Sequence, residues 1–209
     1  MIIKKRDNFF VIAVFLLLFF AVWFFIRTMI GSAVDTKIST AIFDFGHSDF
    51  LTIFFLFITN YTLGEIAGVF AVMIYGAFCK DKFFLIISSL VSLLILAADW
   101  FLKNIFVRPR PFVTLPEVEN ISDYILRDYS FPSGHTVFAF FIAYILTHRF
   151  QFVGIKKYSI YFLAILVGFS RIYLGVHYFG DVLAGAILGS LFGIITMLIM
   201  NKYPRTILK

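Results

Sequence analysis

The residues best suited to chemistry lie in one stretch, Phe169–Asp181, where an arginine, a histidine and an aspartate interrupt an apolar region. Ionisable groups at membrane depth are costly, so each is a functional candidate. His177 and Asp181 are four residues apart, and on a helix they would share one face. An aspartate bonded to one imidazole nitrogen fixes the tautomer and leaves the other nitrogen free to attack an electrophile. These residues alone are equally consistent with a buried ion network that joins two helices.

Groups suited to binding an anion lie near this stretch and upstream of it. Arg171 precedes His177 by six residues, and its guanidinium can hold a phosphate or a carboxylate at two points. Ser133, Gly134 and His135 follow a proline and are predicted to open a helix, whose N-terminal N–H groups attract anions. Gly134 lets the backbone approach a ligand closely. An ordinary helix cap would explain this short sequence equally well if it stood alone.

Three sequence pieces in a fixed order resemble the signature of one known family. They are Lys103-x6-Arg110-Pro111, Pro132-Ser133-Gly134-His135 and Ser170-Arg171-x5-His177-x3-Asp181. Together they are similar to the three-part signature of the type 2 phosphatidic acid phosphatase superfamily of membrane lipid phosphatases. The third piece matches without a gap, and the helices expected around all three pieces also agree.

The resemblance implies a division of labour between two histidines. His177 would attack phosphorus and form a phosphohistidine, while Asp181 would orient the imidazole and stabilise its positive charge. His135 would protonate the leaving oxygen and then activate water for the second step.

The resemblance also implies a phosphate-binding set made of Lys103, Arg110, Ser133, Gly134 and Arg171. Three cations and a helix terminus would stabilise the equatorial oxygens of the phosphoryl group in transfer. They occupy the role that a metal ion fills in other phosphatases, so we expect neither a metal nor another cofactor.

The composition predicts a membrane protein. The chain has 209 residues, of which 61% are hydrophobic and 14% charged, and it contains 30 phenylalanines. The single cysteine, Cys79, excludes an intramolecular disulfide and a cysteine zinc cluster. The net charge of +6 could suggest nucleic acid, but the placement of the basic residues described below argues against such a partner.

The first third of the chain allows some alternatives. Phe9–Ile26 carries no charge and is long enough to cross a membrane, so we prefer an uncleaved helix to a signal peptide cut near residues 31–33. Asp35–Phe45 has apolar residues at helical spacing and predicts a short helix on the membrane surface. Phe50–Thr59 is too short to span by itself, and it either lies at the interface or begins one long tilted helix with the second span.

We predict an all-α, single-domain bundle of six transmembrane helices with a short interfacial helix after the first span. The expected spans cover residues of about 9–28, 63–79, 83–106, 132–147, 158–174 and 179–200. Asp99 and Lys103, four residues apart, predict an ion pair on the third span. The last span has glycines at every fourth position, which favours close helix packing: Gly185, Gly189 and Gly193.

The charge distribution predicts the orientation. Six spans place both termini on one side, where eleven lysines and arginines lie with two acids, against seven and ten on the other side. Basic loops stay cytoplasmic, so we expect cytoplasmic termini and an active site on the outer face of the plasma or inner membrane.

The resemblance therefore implies a bacterial lipid phosphatase whose partners are its lipid substrate and the surrounding membrane lipids. Candidate substrates are undecaprenyl diphosphate, phosphatidylglycerol phosphate, phosphatidate and lipid A 1-phosphate, and the residues do not choose among them or set the oligomeric state. A non-catalytic lipid-binding or scramblase-like protein of the same fold is the alternative. The related vanadate-dependent haloperoxidases are soluble, and this sequence contains no predicted soluble domain.

Four further residues have simpler interpretations. Arg108 lies outside the matched pattern, and we expect it to meet lipid phosphates in preference to the substrate headgroup. His47 is expected at the surface. Tyr173 and Tyr178 are expected to be interfacial aromatic residues.

Overall fold

The computed structural model describes residues 5–59, 81–122 and 126–202, together with Ile74, Gly76 and Phe78. Within these residues the chain forms helices and no strand, which confirms the all-α prediction for this part. The helices are α1 Lys5–Arg27, α2 Met29–Phe43, α3 Asp49–Ile58, α4 Lys82–Phe106, α5 Pro111–Thr114, α6 Gly134–Arg149, α7 Gly154–Tyr173 and α8 Phe179–Met200.

Three helical segments of the described residues are long and apolar enough to cross a membrane. They are Asn8–Arg27, Lys82–Thr114 and Phe179–Met200. Helices α6 and α7, with 16 and 20 residues, lie where the fourth and fifth spans are expected, but they are not among these three segments. Most of the expected span 63–79 lies outside the described residues, so the count of six remains a prediction.

The C-terminal ends of α1 and α4 are set by the local backbone conformation. Thr28 leaves the helical conformation after α1, and its hydroxyl accepts a hydrogen bond from the Gly31 N–H, which caps α2. At the end of α4, Val107 adopts a left-handed conformation with φ of 47°, which is uncommon for a residue with a β-branched side chain. This reversal delivers the segment 108–111 to the same end of the bundle as the start of α8.

The helix α8 is the centre of the bundle. Half of the residues in its most apolar 18-residue stretch are buried. The same fraction is 11% in α1 and 17% in the segment that contains α4. Its glycines face α6 so closely that an added Cβ would meet the Ser133 carbonyl from Gly185, the Val137 carbonyl from Gly189 and the Tyr144 ring from Gly193. The predicted close packing through these glycines is therefore confirmed.

A helix is present where the short interfacial helix is predicted, with polar residues on its buried face, and its position on the membrane surface stays a prediction. It is the second half of α2, which begins at Met29, and its buried residues are Gly31, Asp35, Ser39 and Phe43. The Ser39 hydroxyl accepts from the Phe179 N–H at 2.9 Å, and the Asp35 carboxylate accepts from the Gly180 N–H at 2.7 Å. These bonds satisfy two of the N–H groups that a helix start leaves without partners, so α2 packs on the first turn of α8.

The segment after α2 forms a separate short helix. Thr59 ends α3 in a non-helical conformation, and its N–H closes the last turn on Phe55. At ten residues, α3 is too short to cross a membrane. Because α3 ends at Ile58, Phe50–Thr59 does not begin one uninterrupted helix with the expected second span, and its position at the interface stays a prediction.

Candidate active site

His177 lies in the turn between α7 and α8. Gly175 adopts a left-handed φ of 73°, and an added Cβ there would collide with the Glu119 carbonyl, so the tight turn requires glycine. The N–H groups of Val176 and His177 both donate to the Arg171 carbonyl, at 3.2 and 3.1 Å. This turn holds His177 beside the arginine that the sequence had placed in the same site.

Asp181 lies in the first turn of α8, so the expected geometry of two residues on one helix is wrong. His177 precedes the helix, and Tyr178 is the N-cap residue. The Asp181 Oδ2 accepts the Tyr178 N–H at 2.9 Å, and the His177 Nδ1 lies 3.5 Å from the same oxygen. The pair is brought together by a capping arrangement at the helix start, and both side chains are buried.

The surroundings of His177 indicate which imidazole nitrogen carries the proton and which carries the lone pair. Arg110 Nη1 lies 3.3 Å from His177 Nε2. A guanidinium only donates, so Nε2 accepts with its lone pair and the proton is assigned to Nδ1, towards Asp181. Burial, reinforced by the positive charges of Arg110 and Arg171, holds the pKa of His177 well below its usual value. At neutral pH the imidazole is therefore neutral, and its Nε2 lone pair faces the Arg110 guanidinium.

Lys103, Arg110 and Asp128 form a group that we call the open cluster. Lys103 Nζ lies 2.8 Å from Asp128 Oδ2, and Arg110 Nη2 lies 2.7 Å from Asp128 Oδ1. Arg110 also donates from Nε to the Asp128 carbonyl at 3.1 Å. The Asp128 side chain is 36% exposed, whereas Lys103 and Arg110 are buried. The two predicted phosphate-binding cations thus converge, and a carboxylate outside the three sequence pieces lies between them.

Opposing effects set the charge of Asp128. Burial alone would raise the pKa of this carboxyl, but the neighbouring charges of Lys103 and Arg110 lower it to about 2. Lys103 also contacts Asp99 at 2.8 Å, which confirms the predicted pair on α4. Asp128 is consequently a permanent anion at neutral pH.

Arg171 and the start of α6 complete the predicted set. Arg171 is buried, and its Nη1 donates to the Thr59 carbonyl at 3.1 Å. Ser133 is the N-cap residue of α6, and its N–H donates to the Asp181 carbonyl at 3.1 Å. The N-termini of α6 and α8 therefore meet, and the positive ends of two helix dipoles lie at one place.

His135 lies in the first turn of α6 and is buried. It lies near His177 and is close enough to Arg171 for the guanidinium charge to act on it. The structure thus brings both histidines of the predicted division of labour to the same end of the bundle. Among the described residues, no group of three or more His, Cys, Asp or Glu side chains could hold a metal ion.

Arg108 does not meet lipid phosphates, and the expectation for this residue is wrong. Its side chain is 12% exposed, and its Nη1 and Nη2 lie 2.6 Å from Asp181 Oδ1 and 2.5 Å from Asp35 Oδ2. The guanidinium also stacks on the Tyr178 ring at 3.9 Å. We call Asp35, Arg108 and Asp181 the closed cluster, because its carboxylates are almost completely shielded from solvent.

The two tyrosines are buried and not interfacial, so the expectation for both is wrong. Tyr173 packs against Phe55, and its carbonyl accepts from Nε2 of the exposed His47 at 3.0 Å. The Tyr178 hydroxyl lies 2.5 Å from the Thr114 hydroxyl. The Tyr173 hydroxyl donates to the Gly46 carbonyl at 3.4 Å, so both phenol groups have partners inside the protein and do not need the membrane interface.

Taken together, the fold and the site define a helical membrane protein with cationic side chains gathered around a neutral, buried histidine. The sequence matches the family profile of the PAP2 superfamily over residues 82–205, and the chain belongs to that superfamily. This confirms the resemblance drawn from the three sequence pieces.

Individual relatives agree with this membership. Bacitracin transport permease protein BcrC of Bacillus licheniformis is 44% identical over 82 residues, which are 39% of this chain and 38% of that protein. Undecaprenyl-diphosphatase BcrC of Bacillus subtilis (strain 168) is 27% identical over 148 residues, 70% of this chain and 74% of that protein. The crystal structure of a transmembrane PAP2 type phosphatidylglycerolphosphate phosphatase from Bacillus subtilis superposes with a TM-score of 0.73 at 28% identity, covering 93% of this chain and 98% of that one.

Proposed function

We propose that this protein is a lipid phosphatase that hydrolyses a membrane lipid phosphate or diphosphate through a phosphohistidine on His177. The observation that carries the proposal is the position of His177 Nε2, whose lone pair faces Arg110 at 3.3 Å while Nδ1 faces Asp181. A neutral imidazole beside fixed cations combines a nucleophile with a binding site for the anion that it attacks.

In the first step, the Nε2 lone pair attacks phosphorus, and the bond from phosphorus to the lipid oxygen breaks. His135 donates its proton to the departing oxygen, so the lipid alcohol or lipid monophosphate leaves. The imidazole of His177 becomes positively charged, and the Asp181 carboxylate at 3.5 Å from Nδ1 stabilises that charge.

In the second step, His135 accepts a proton from water, and the water oxygen attacks phosphorus. The bond from phosphorus to Nε2 breaks, inorganic phosphate is released, and both histidines regain their original states. Through both steps, Lys103, Arg110 and Arg171, with Ser133 and Gly134 at the start of α6, stabilise the negative oxygens.

The names of the relatives support undecaprenyl diphosphate and phosphatidylglycerol phosphate as candidate substrates. Phosphatidate and lipid A 1-phosphate are candidates from the family resemblance. We also propose six spans in a plasma or inner membrane, with cytoplasmic termini and the site on the outer side. A cysteine introduced at the exposed Glu119 should then react with an impermeant thiol reagent on intact cells, and the native Cys79 should not.

The activity is tested with detergent-solubilised protein and these four lipids assayed side by side for release of inorganic phosphate. We expect turnover of at least one lipid, retention of activity in excess EDTA, and inhibition by vanadate, which mimics five-coordinate phosphorus. The matched control is His177→Ala, and substrate labelled in the transferred phosphate should label only the unsubstituted enzyme. Lipid binding without phosphate release would contradict the proposal and favour the non-catalytic alternative.

A further inference from the structure

The closed cluster joins three segments that are distant in the sequence. Asp35 comes from α2, Arg108 from the segment after α4, and Asp181 from the first turn of α8. One guanidinium bridges two carboxylates, at 2.5 and 2.6 Å, in a region where the side chains are at most 12% exposed. Bridging hydrogen bonds of this kind between ionised groups are strong and fix the orientation of both partners.

Each carboxylate oxygen of Asp181 and Asp35 accepts a hydrogen bond from its own donor. Asp181 Oδ1 accepts from Arg108, and Oδ2 accepts the Tyr178 N–H while facing His177 Nδ1. Asp35 Oδ2 accepts from Arg108, and Oδ1 accepts the Gly180 N–H. A Cβ on Gly180 would meet the Asp35 carboxyl group at 3.1 Å. The absence of a side chain at Gly180 therefore lets the Asp35 carboxylate approach the start of α8.

The closed cluster affects both the charge and the orientation of Asp181, on which the proposed chemistry depends. Asp181 must be anionic to stabilise the positive imidazole, yet a second carboxylate on the same guanidinium opposes that charge. Arg108 offsets the repulsion, and its contact with Oδ1 turns Oδ2 towards His177. Without the guanidinium, the two carboxylates would repel each other and Asp181 would lose the bond that orients it.

We propose that Arg108 and Asp35 are positioning residues for Asp181, so that helix α2 takes part in orienting the histidine nucleophile. The proposal rests on the proposed function, because it assigns a role in the step that His177 performs. Neither residue touches the substrate in this account, so the rate of phosphoryl transfer should respond to them while substrate affinity should not.

The experiment compares Arg108→Gln, Asp35→Asn and the double variant with Arg127→Gln and Asp44→Asn, which make the same changes at exposed positions. The readouts are kcat and KM per folded protein, the single-turnover rate of phosphoenzyme formation, and the pH profile of kcat/KM. For Arg108→Gln we expect kcat and phosphoenzyme formation to fall by about tenfold or more, within the range measured for residues that orient a catalytic group. KM should change by less than about threefold.

Two further readouts separate positioning from a merely structural role. In Arg108→Gln the unbalanced negative charge near His177 should favour its protonated form, so the acid limb of the pH profile should move to higher pH. Adding Asp35→Asn removes one of the two repelling carboxylates, so the double variant should be more active than Arg108→Gln alone. If Arg108→Gln does not fold, Arg108→Lys keeps the charge without the two-point geometry and should show the fall in kcat by itself.

The outcomes distinguish this proposal from the proposed function. An active enzyme that loses phosphoenzyme in His177→Ala, but in which Arg108→Gln behaves like Arg127→Gln with an unmoved pH profile, would overturn the positioning role alone. An unsubstituted enzyme without hydrolysis of any tested lipid would overturn both. Loss of activity that only follows the amount of folded protein, with no coupling between Arg108 and Asp35, would also overturn it.

Discussion

Two ion clusters are built from neighbouring arginines, and they differ mainly in exposure. Arg110 belongs to the open cluster and Arg108 to the closed cluster, with only Pro109 between them. The carboxylate of the open cluster, Asp128, is 36% exposed, whereas those of the closed cluster are exposed by 3% or less. Residues two apart in a regular extended segment point to the same side, so backbone alternation does not separate these arginines. They differ in their partners, which are Asp35 and Asp181 for Arg108 and Asp128 for Arg110.

The difference in exposure predicts a difference in role. A carboxylate that water can reach can be displaced by another anion at modest cost, so the open cluster can exchange Asp128 for a phosphate. Breaking a buried bridge leaves a charge without its ionic partner, which is strongly destabilising, so the closed cluster is expected to stay intact through the reaction. The first cluster is suited to binding substrate and the second to holding Asp181.

The largest effect is expected where the two clusters meet, at His177. His177→Ala removes the imidazole that lies between Arg110 and Asp181, so turnover and labelled phosphoenzyme should both disappear. The measurement is phosphate release together with retention of label on protein after a brief reaction. Labelled enzyme in this variant would show that a different residue is the nucleophile.

The next effect is expected in the closed cluster. Asp181→Asn keeps an oxygen for the Tyr178 N–H but removes the charge that stabilises the imidazolium. The kcat should fall by about 10²- to 10⁴-fold with little change in KM, as for other residues that orient a catalytic histidine. A rise in KM at unchanged kcat would place Asp181 in substrate binding and weaken the contrast between the clusters.

His135 belongs to neither cluster and tests the second step. His135→Ala keeps the nucleophile but removes the proposed acid and base, so turnover should fall by about 10²- to 10⁴-fold. A substrate with a good leaving group needs little protonation, so it should restore the first step and let labelled phosphoenzyme accumulate. If label forms in His177→Ala and not in His135→Ala, the two roles are reversed.

A smaller effect, of a different kind, is expected in the open cluster. Asp128→Asn removes the anion that competes for Lys103 and Arg110, so inorganic phosphate and vanadate should inhibit more strongly, by up to about tenfold, or ~1.4 kcal/mol. The kcat should stay within about threefold of the unsubstituted value. Weaker inhibition by both anions would show that Asp128 arranges the cations and does not compete with the substrate.

The sequence predicted contacts correctly where the two residues are close in the chain or belong to one motif. The pairing of Asp99 with Lys103 and the glycine face of α8 follow from helical periodicity, which needs no knowledge of the tertiary fold. The link between His177 and Asp181 was expected from the same periodicity, yet the structure produces it through a helix cap. Spacing therefore identified the pair without giving its geometry.

The residues that the sequence did not reveal are those whose partners are distant. Asp35 and Asp181 are 146 positions apart, and Asp128 reaches Lys103 and Arg110 through a loop whose path no periodic pattern specifies. An acid in such a loop looks like an ordinary solvated residue. One signal was present for Arg108, because a charged side chain at the end of a span requires a partner when it is buried.

The smallest effect concerns stability and depends on pH. The pKa of Asp128 is about 2 in the folded protein, below the value of about 3.9 expected for an unfolded chain. A lowered pKa means that the ionised carboxylate stabilises the fold fully above the unfolded value, and that this contribution is lost as pH falls towards the folded value. The melting temperature of Asp128→Asn should therefore lie below that of the unsubstituted protein at pH 7 and pH 5.

The difference should shrink between about pH 4 and pH 2, where the native carboxyl becomes protonated and resembles the amide. The exposed Asp44→Asn variant, measured in the same detergent, controls for the loss of a negative charge as such. A difference that stays constant down to pH 2 would mean that the amide is a poorer partner for reasons other than charge. A variant more stable than the unsubstituted protein at pH 7 would show that the open cluster has an excess of negative charge, and the pairing of Asp128 with both cations would then be incorrect.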